Sequence, residues 1–233
     1  MRFTVSLTVV FALYLGALAG AVQQPSPAAG KPPSERFDFE VRADFFAGFS
    51  GDMTRFEKAM ARCEEVLAQN PDHAEALVWH GSGLIARAGT LFSAGDMPKG
   101  MEMYGKGLGE MARAVSLAPD NVGVRIPRGA SLFEASRHVP PPQQAGLIKL
   151  ALEDYEHTLK LQTSYFSKLS DHAKGELLFG LADGWARAGD KEKAQGYFTR
   201  LTQDATGSGR MAYAKAWLDG KPPADPGRCV GCH

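Results

Sequence analysis

The chain has 233 residues, enough for one domain with a sizeable core. Its 26 Lys and Arg are matched by 26 Asp and Glu, so no broad field attracts nucleic acid or an anionic membrane surface. Of three cysteines, Cys229 and Cys232 sit three apart near the C-terminus and Cys63 stands alone, which is not a disulfide framework holding a small fold together.

Arg2 precedes an apolar run from Val5 to Ala19, broken by Ser6, Thr8 and Gly16 and ending in small residues around Ala19-Gly20-Ala21. This is the three-part layout of a cleaved secretory signal peptide over residues 1–21. The run is shorter than the ~20 apolar residues of a bilayer span. No later segment is apolar for long enough either, so the mature chain is expected to be periplasmic or secreted from a bacterium and not an integral membrane protein. Residues 22–35 are rich in Pro, Ala and Gln and lack large apolar side chains, which predicts a disordered spacer.

From Arg36 the pattern is helical and repeats. Val66-Leu-Ala-Gln-Asn-Pro71-Asp72-His73 lies over Ala114-Val-Ser-Leu-Ala-Pro119-Asp120-Asn121. Each is an apolar helix end stopped by Pro, with Asp or Asn to cap the next helix. Ala86-Arg-Ala-Gly89 lies over Ala186-Arg-Ala-Gly189-Asp190, and Gly89 and Gly189 are both expected to end a helix in the left-handed conformation. Asp96 is placed to cap a helix with Pro98 in its first turn. Met97, Met101, Tyr104, Leu108 and Met111 recur at helical spacing and read as a core stripe. His138-Val-Pro140-Pro-Pro142 must break the chain into a loop. Ala194, Phe198 and Leu201 share one helix face. Small residues such as Gly81, Gly129 and Ala182 permit close helix approach, and Cys63 occupies a buried-type helical position. Gly220 ends the helices, and residues 220–233 form a Pro-rich linker and tail.

These residues resemble tetratricopeptide repeats, helical pairs of about 34 residues. The clearest copy is Leu178, Leu181, Ala182, Trp185, Gly189-Asp190, Ala194, Phe198 and Leu201. Ala74-Glu-Ala-Leu77 with Gly81 and Leu84 begins a second. Ala59, Cys63, Val66 and Pro71 form the second half of a first, and Gly129 with Leu132 marks a divergent one. The two Pro-Asp turns stand 48 residues apart, longer than one standard repeat. The resemblance implies an all-α solenoid of antiparallel helix pairs, about four units over residues 36–219. It also implies a concave face that binds a protein or peptide, and by repeat position that face includes Val78, Ser82, Phe133, Phe179 and Asp183.

The chain ends Cys229-Val-Gly-Cys232-His233, the Cys-x-x-Cys-His pattern of c-type haem attachment. Two thiols three apart on a tight turn reach the two vinyl groups of one porphyrin, and the adjacent imidazole faces the iron. By resemblance to c-type cytochromes, Cys229 and Cys232 are the anchors of one covalent haem c and His233 is its proximal ligand. The alternatives are a disulfide between the tail cysteines or an adventitious chelate. No cytochrome fold follows the motif, so the sixth ligand is open. His80 and His138 are weak candidates beside His73, His157 and His172, and Arg125 and Arg128 read as a solvated face. The expected activity is one-electron transfer with a bound partner, not an enzymatic turnover. The alternatives are a non-haem adaptor or assembly factor and a haem sensor.

Overall fold

A computed structural model of the chain describes residues 36–221; the signal-peptide and spacer expectations and the tail motif lie outside them. Among the described residues there is no strand. The helices are α1 (Asp38–Phe49), α2 (Met53–Gln69), α3 (Ala74–Ser93), α4 (Met97–Leu117), α5 (Val122–Ala135), α6 (Pro141–Gln162), α7 (Asp171–Arg187), α8 (Lys191–Asp204) and α9 (Met211–Leu218), with a 3-10 turn at Phe166–Lys168. None of them is long and apolar enough to cross a membrane.

One local device makes three of the helix pairs. Gly51, Gly95 and Gly189 have φ of 112°, 83° and 89°, a backbone region that costs glycine least. Asp52, Asp96 and Asp190 follow directly. Each caps the next helix by accepting the N–H three residues on, from Arg55, Lys99 and Lys193. A left-handed glycine and an N-cap in three residues reverse the chain, so α1–α2, α3–α4 and α7–α8 are antiparallel hairpins. The fourth, α5–α6, reverses through the loop expected at His138, with Pro140 before the first residue of α6.

The structure departs from two of these expectations. Gly89 does not end a helix: α3 runs through it to Ser93. Its apolar content continues through Leu91 and Phe92, and the Phe92 ring lies on Gly100 of α4, so packing overrides the glycine. The cap of α3 is His73, not Asp72. His73 Nδ1 accepts from Ala76 N–H at 3.2 Å, while Asp72 pairs with Arg113 across to α4. At the second Pro-Asp turn the expected residue type serves, since Asn121 accepts from Gly123 N–H at 2.8 Å.

α3 packs against the first helices of the hairpins on either side, α1 and α5, and against α2, whereas α7 packs on α6 and α9 on α8. Phe45 of α1 stacks on Trp79 of α3, with ring centroids 5.2 Å apart. Ser131 of α5 donates to Ser82 of α3 at 2.8 Å, and Arg137 beyond α5 reaches Asp183 of α7 at 2.8 Å. Glu176 of α7 meets Arg210 at 2.9 Å and Phe179 meets Tyr213 of α9, both 34 positions on. As a result α3 is enclosed, and ten consecutive residues from Glu75 to Leu84 are buried. A helix buried all round has no polar face, as its Ala-Leu-Val-Trp and Gly-Ser-Gly-Leu text shows. Ala194, Phe198 and Leu201 are fully buried on α8, and Met111 is buried on α4. The other end of the Met row is not core: Met97 is 54% and Met101 57% exposed. The α3–α4 hairpin is longer than its neighbours α1 and α5, so its tip has no flanking helix.

At the N-terminal end the outer surface of α1–α2 is charged. Arg62 joins Glu40 and Glu65, and Asp44 joins Arg55 and Lys58. A polar outer face closes a stacked array of helices against water.

Candidate functional site

The tail motif follows α9, whose place is set by α7 and α8. Arg210, just before α9, forms a buried ion pair with Glu176 of α7 and lies over the Phe179 ring at 4.3 Å. Trp217 packs on Phe198 of α8, with centroids 4.7 Å apart. Gly220, φ 73°, stops the helix as expected, and Lys221 N–H donates back to Ala216 O at 2.8 Å. Because α9 runs parallel to α7, its C-terminus lies at the edge of the array that carries the turn after α7.

That edge is tied together across hairpins. Arg187, in the last turn of α7, donates to Ser136 Oγ at 2.5 Å and to Phe133 O at 3.4 Å, both from the end of α5. Asp183 accepts from Arg137 at 2.8 Å and lies 3.8 Å from Arg187. Burial and the nearby Arg137 charge hold the Arg187 guanidinium below its ordinary pKa.

The two histidines singled out as iron ligands have different surroundings. His80 is buried on α3, with Nδ1 2.6 Å from Glu110 of α4 and Nε2 3.6 Å from Glu64 of α2. Both ring nitrogens face carboxylates, so His80 holds three helices together and is closed to a cofactor. His138 is in the loop between α5 and α6, its side chain 66% exposed, with Nε2 3.3 Å from Glu134. The other three are engaged elsewhere: His73 caps α3, His157 meets Asp120 at 2.7 Å, and His172 is in the first turn of α7.

The five residues assigned to a concave face are buried. Val78 is core, and Ser82 hydrogen-bonds Val78 O and Ser131. Phe133 packs edge-on against Tyr155 and fills the space beside Gly184, while Phe179 contacts Phe198 and Tyr213. Asp183 binds the arginines. All five are taken up in contacts between helices and do not face an open groove.

Arg125 and Arg128 are not a solvated face either. Arg125 Nη1 reaches Asp154 at 2.8 Å, and Arg128 reaches it through Nε at 2.6 Å and Nη2 at 2.7 Å. Asp154, on α6, is fully buried. No local signal in the sequence points to this partner, which stands 29 and 26 residues away. Cys63 is buried, and burial pushes its thiol far above the ordinary range, so it is no nucleophile. A shallow groove of about 380 Å³ between α1 and α2 is lined by the paired Glu40, Asp44, Lys58 and Arg62. Among the described residues no group of three His, Cys, Asp or Glu could hold a metal ion.

Beyond the described residues, the tail sequence Cys229-Val-Gly-Cys232-His233 carries two cysteines and a histidine within five residues. No family model and no curated protein matches this chain.

Proposed function

We propose that this chain is an exported scaffold of tetratricopeptide-like helix pairs that carries one covalent haem c on its C-terminal tail. Its role is one-electron transfer with a bound partner protein in the periplasm or outside the cell. The observation that carries the reading is Cys229-Val-Gly-Cys232-His233 downstream of an export-type N-terminus. Cys229 and Cys232 would hold the haem covalently as thioethers, each formed by addition of the thiol across a vinyl group, and His233 would be its iron ligand. Bound haem c supplies one-electron exchange between two iron oxidation states.

Two features of the body support the scaffold part. The chain reverses at recurring glycine–aspartate turns, and the 34-residue offset from α7 to α9 matches the length of one tetratricopeptide unit. The Phe45–Trp79 offset from α1 to α3 is also 34, while the two middle offsets are longer, 49 between Ser82 and Ser131 and 46 between Arg137 and Asp183, because α3, α4 and α6 have 20 to 22 residues.

The test is maturation of the full chain with a cytochrome c assembly system, followed by denaturation and a pyridine haemochrome spectrum. One haem is expected to stay with each chain, and to be lost when Cys229 and Cys232 are both replaced by Ala. A colourless product under competent maturation overturns the haem reading. It would favour a non-haem adaptor, for which the exposed Met97 and Met101 at the tip of α3–α4 are the apolar surface to probe.

A further inference from the structure

We propose that Met97 and Met101, at the start of α4, form a binding site for a soft monovalent metal ion, copper(I). The site is independent of the tail motif. Its donors are two thioether sulfurs, and soft sulfur ligands select copper(I) over harder divalent ions.

The first support is spacing. Met97 and Met101 stand four positions apart on one helix, so their Cβ atoms lie about 5–6 Å from each other on the same face. The methionine side chain is unbranched and turns freely about its bonds. Both sulfurs can therefore close on one ion between them without moving the backbone. A filled d shell lets copper(I) settle for a pair of ligands.

The second is access. Met97 is 54% and Met101 57% exposed, whereas Met60 and Met111 are buried. The hairpin outruns α1 and α5 at this tip, so no flanking helix covers the pair. Tyr104 and Leu108 continue the same face of α4 and pack on the core. Packing thus accounts for that end of the row and not for the two exposed sulfurs.

The third is the surroundings. The Phe92 ring lies on Gly100 and packs on Tyr104 with centroids 6.4 Å apart, so aromatic carbon lines the helix beside the pair. Asp96 accepts the Lys99 N–H at 3.3 Å and lies 3.4 Å from Lys99 Nζ, while Lys106 Nζ is 3.9 Å from Glu110. Glu102 follows Met101 directly and so projects about 100° away around the helix. The charges at this tip are engaged or turned aside, which leaves sulfur as the donor. The macrodipole at the start of α4 opposes a cation, and it weighs more on a divalent ion than on a monovalent one.

The test titrates the full chain, with Cys229 and Cys232 replaced by Ala, with copper(I) under anaerobic conditions. Binding is read from the resonances of isotope-labelled methionine methyl groups. Those of Met97 and Met101 are expected to shift together and to saturate at one equivalent, while exposed Met53 and buried Met60 and Met111 stay in place. Zinc(II) is expected to move neither member of the pair. Losing one donor of two should weaken binding at least as much as losing an outer-shell partner, so Met97→Leu and Met101→Leu are each expected to lower the affinity by about tenfold or more. Leucine keeps the size, apolar character and helix propensity, so a surface that only docks an apolar partner would tolerate both changes. Unchanged copper(I) affinity in the two Leu variants, a Met53 shift equal to those of the pair, or an equal response to zinc(II) overturns the proposal. So do Met97 and Met101 methyl resonances that stay in place under excess copper(I). None of these results bears on the haem reading.

Discussion

Gly81 on α3 and Gly107 on α4 meet backbone to backbone. A Cβ on Gly81 would come within 2.7 Å of Gly107 O, and one on Gly107 within 2.6 Å of Gly81 O. The two glycines set the spacing of the hairpin that encloses His80, whose ring reaches Glu110 one turn away.

Alanine at either position must push the two helices apart. Gly107→Ala is expected to lower stability by about 1–3 kcal/mol, the usual cost of forcing a group into a packed interface. Gly105→Ala, two residues away with nothing within 4 Å, should instead raise stability by up to about 1 kcal/mol through helix propensity. Urea unfolding of the two variants checks the pair of signs, and equal effects would refute the contact.

Arg210 anchors α9 through Glu176. Removing the guanidinium leaves a buried carboxylate without its main counter-charge, so Arg210→Ala is expected to cost about 3–5 kcal/mol. Hydrogen exchange should show the loss first in α9, whose Trp217 would lose its packing on Phe198. A variant as stable as wild type would mean that α9 is held by its aromatic contacts alone.

Acid should weaken the outer face of the first hairpin. Hydrogen bonds from Lys58 and Arg55 hold the Asp44 carboxyl below its ordinary range. A depressed folded value means that the stabilisation is complete above the unfolded pKa of about 3.9 and is lost as pH falls through the lower folded value. The two cations are largely exposed, so the gain at neutral pH is at most about 1 kcal/mol. The stability difference between wild type and Asp44→Asn should therefore shrink between about pH 5 and pH 2. A difference constant over that interval refutes the assignment.

Cys63 gives a reporter of global opening. Its thiol is buried, and burial raises its pKa, so thiol reagents at mildly alkaline pH should leave it unmodified in the folded protein. Modification is expected to follow the urea unfolding curve. Rapid labelling of native protein, with both tail sulfurs blocked, would place Cys63 at a locally opening helix.

Much of the helical layout was legible because its signals are local. Asp96 with Pro98, the loop before Pro140, the stop at Gly220 and the buried face of Ala194, Phe198 and Leu201 depend on residues within a few positions of one another. Gly89 and Asp72 misled for the same reason: both carry a local signal that a long-range contact outweighs. Phe92 packing on Gly100 keeps α3 going past Gly89. Arg113 draws Asp72 away and leaves His73 to cap α3. Met97 and Met101 have core spacing, yet helix lengths in the neighbouring hairpins leave them in solvent.

The amino-acid order alone determined that the described body is helical, where most of its turns fall, and that two cysteines and a histidine lie within five residues of the tail. Those are matters of backbone preference and covalent spacing, which a chain carries wherever it goes. Only the tertiary structure decided that Val78, Ser82, Phe133, Phe179 and Asp183 are buried, that Arg125 and Arg128 meet Asp154, and that His80 is enclosed while His138 is exposed. Burial and ion pairing depend on which distant helices arrive alongside, and that follows from the packing of the whole array.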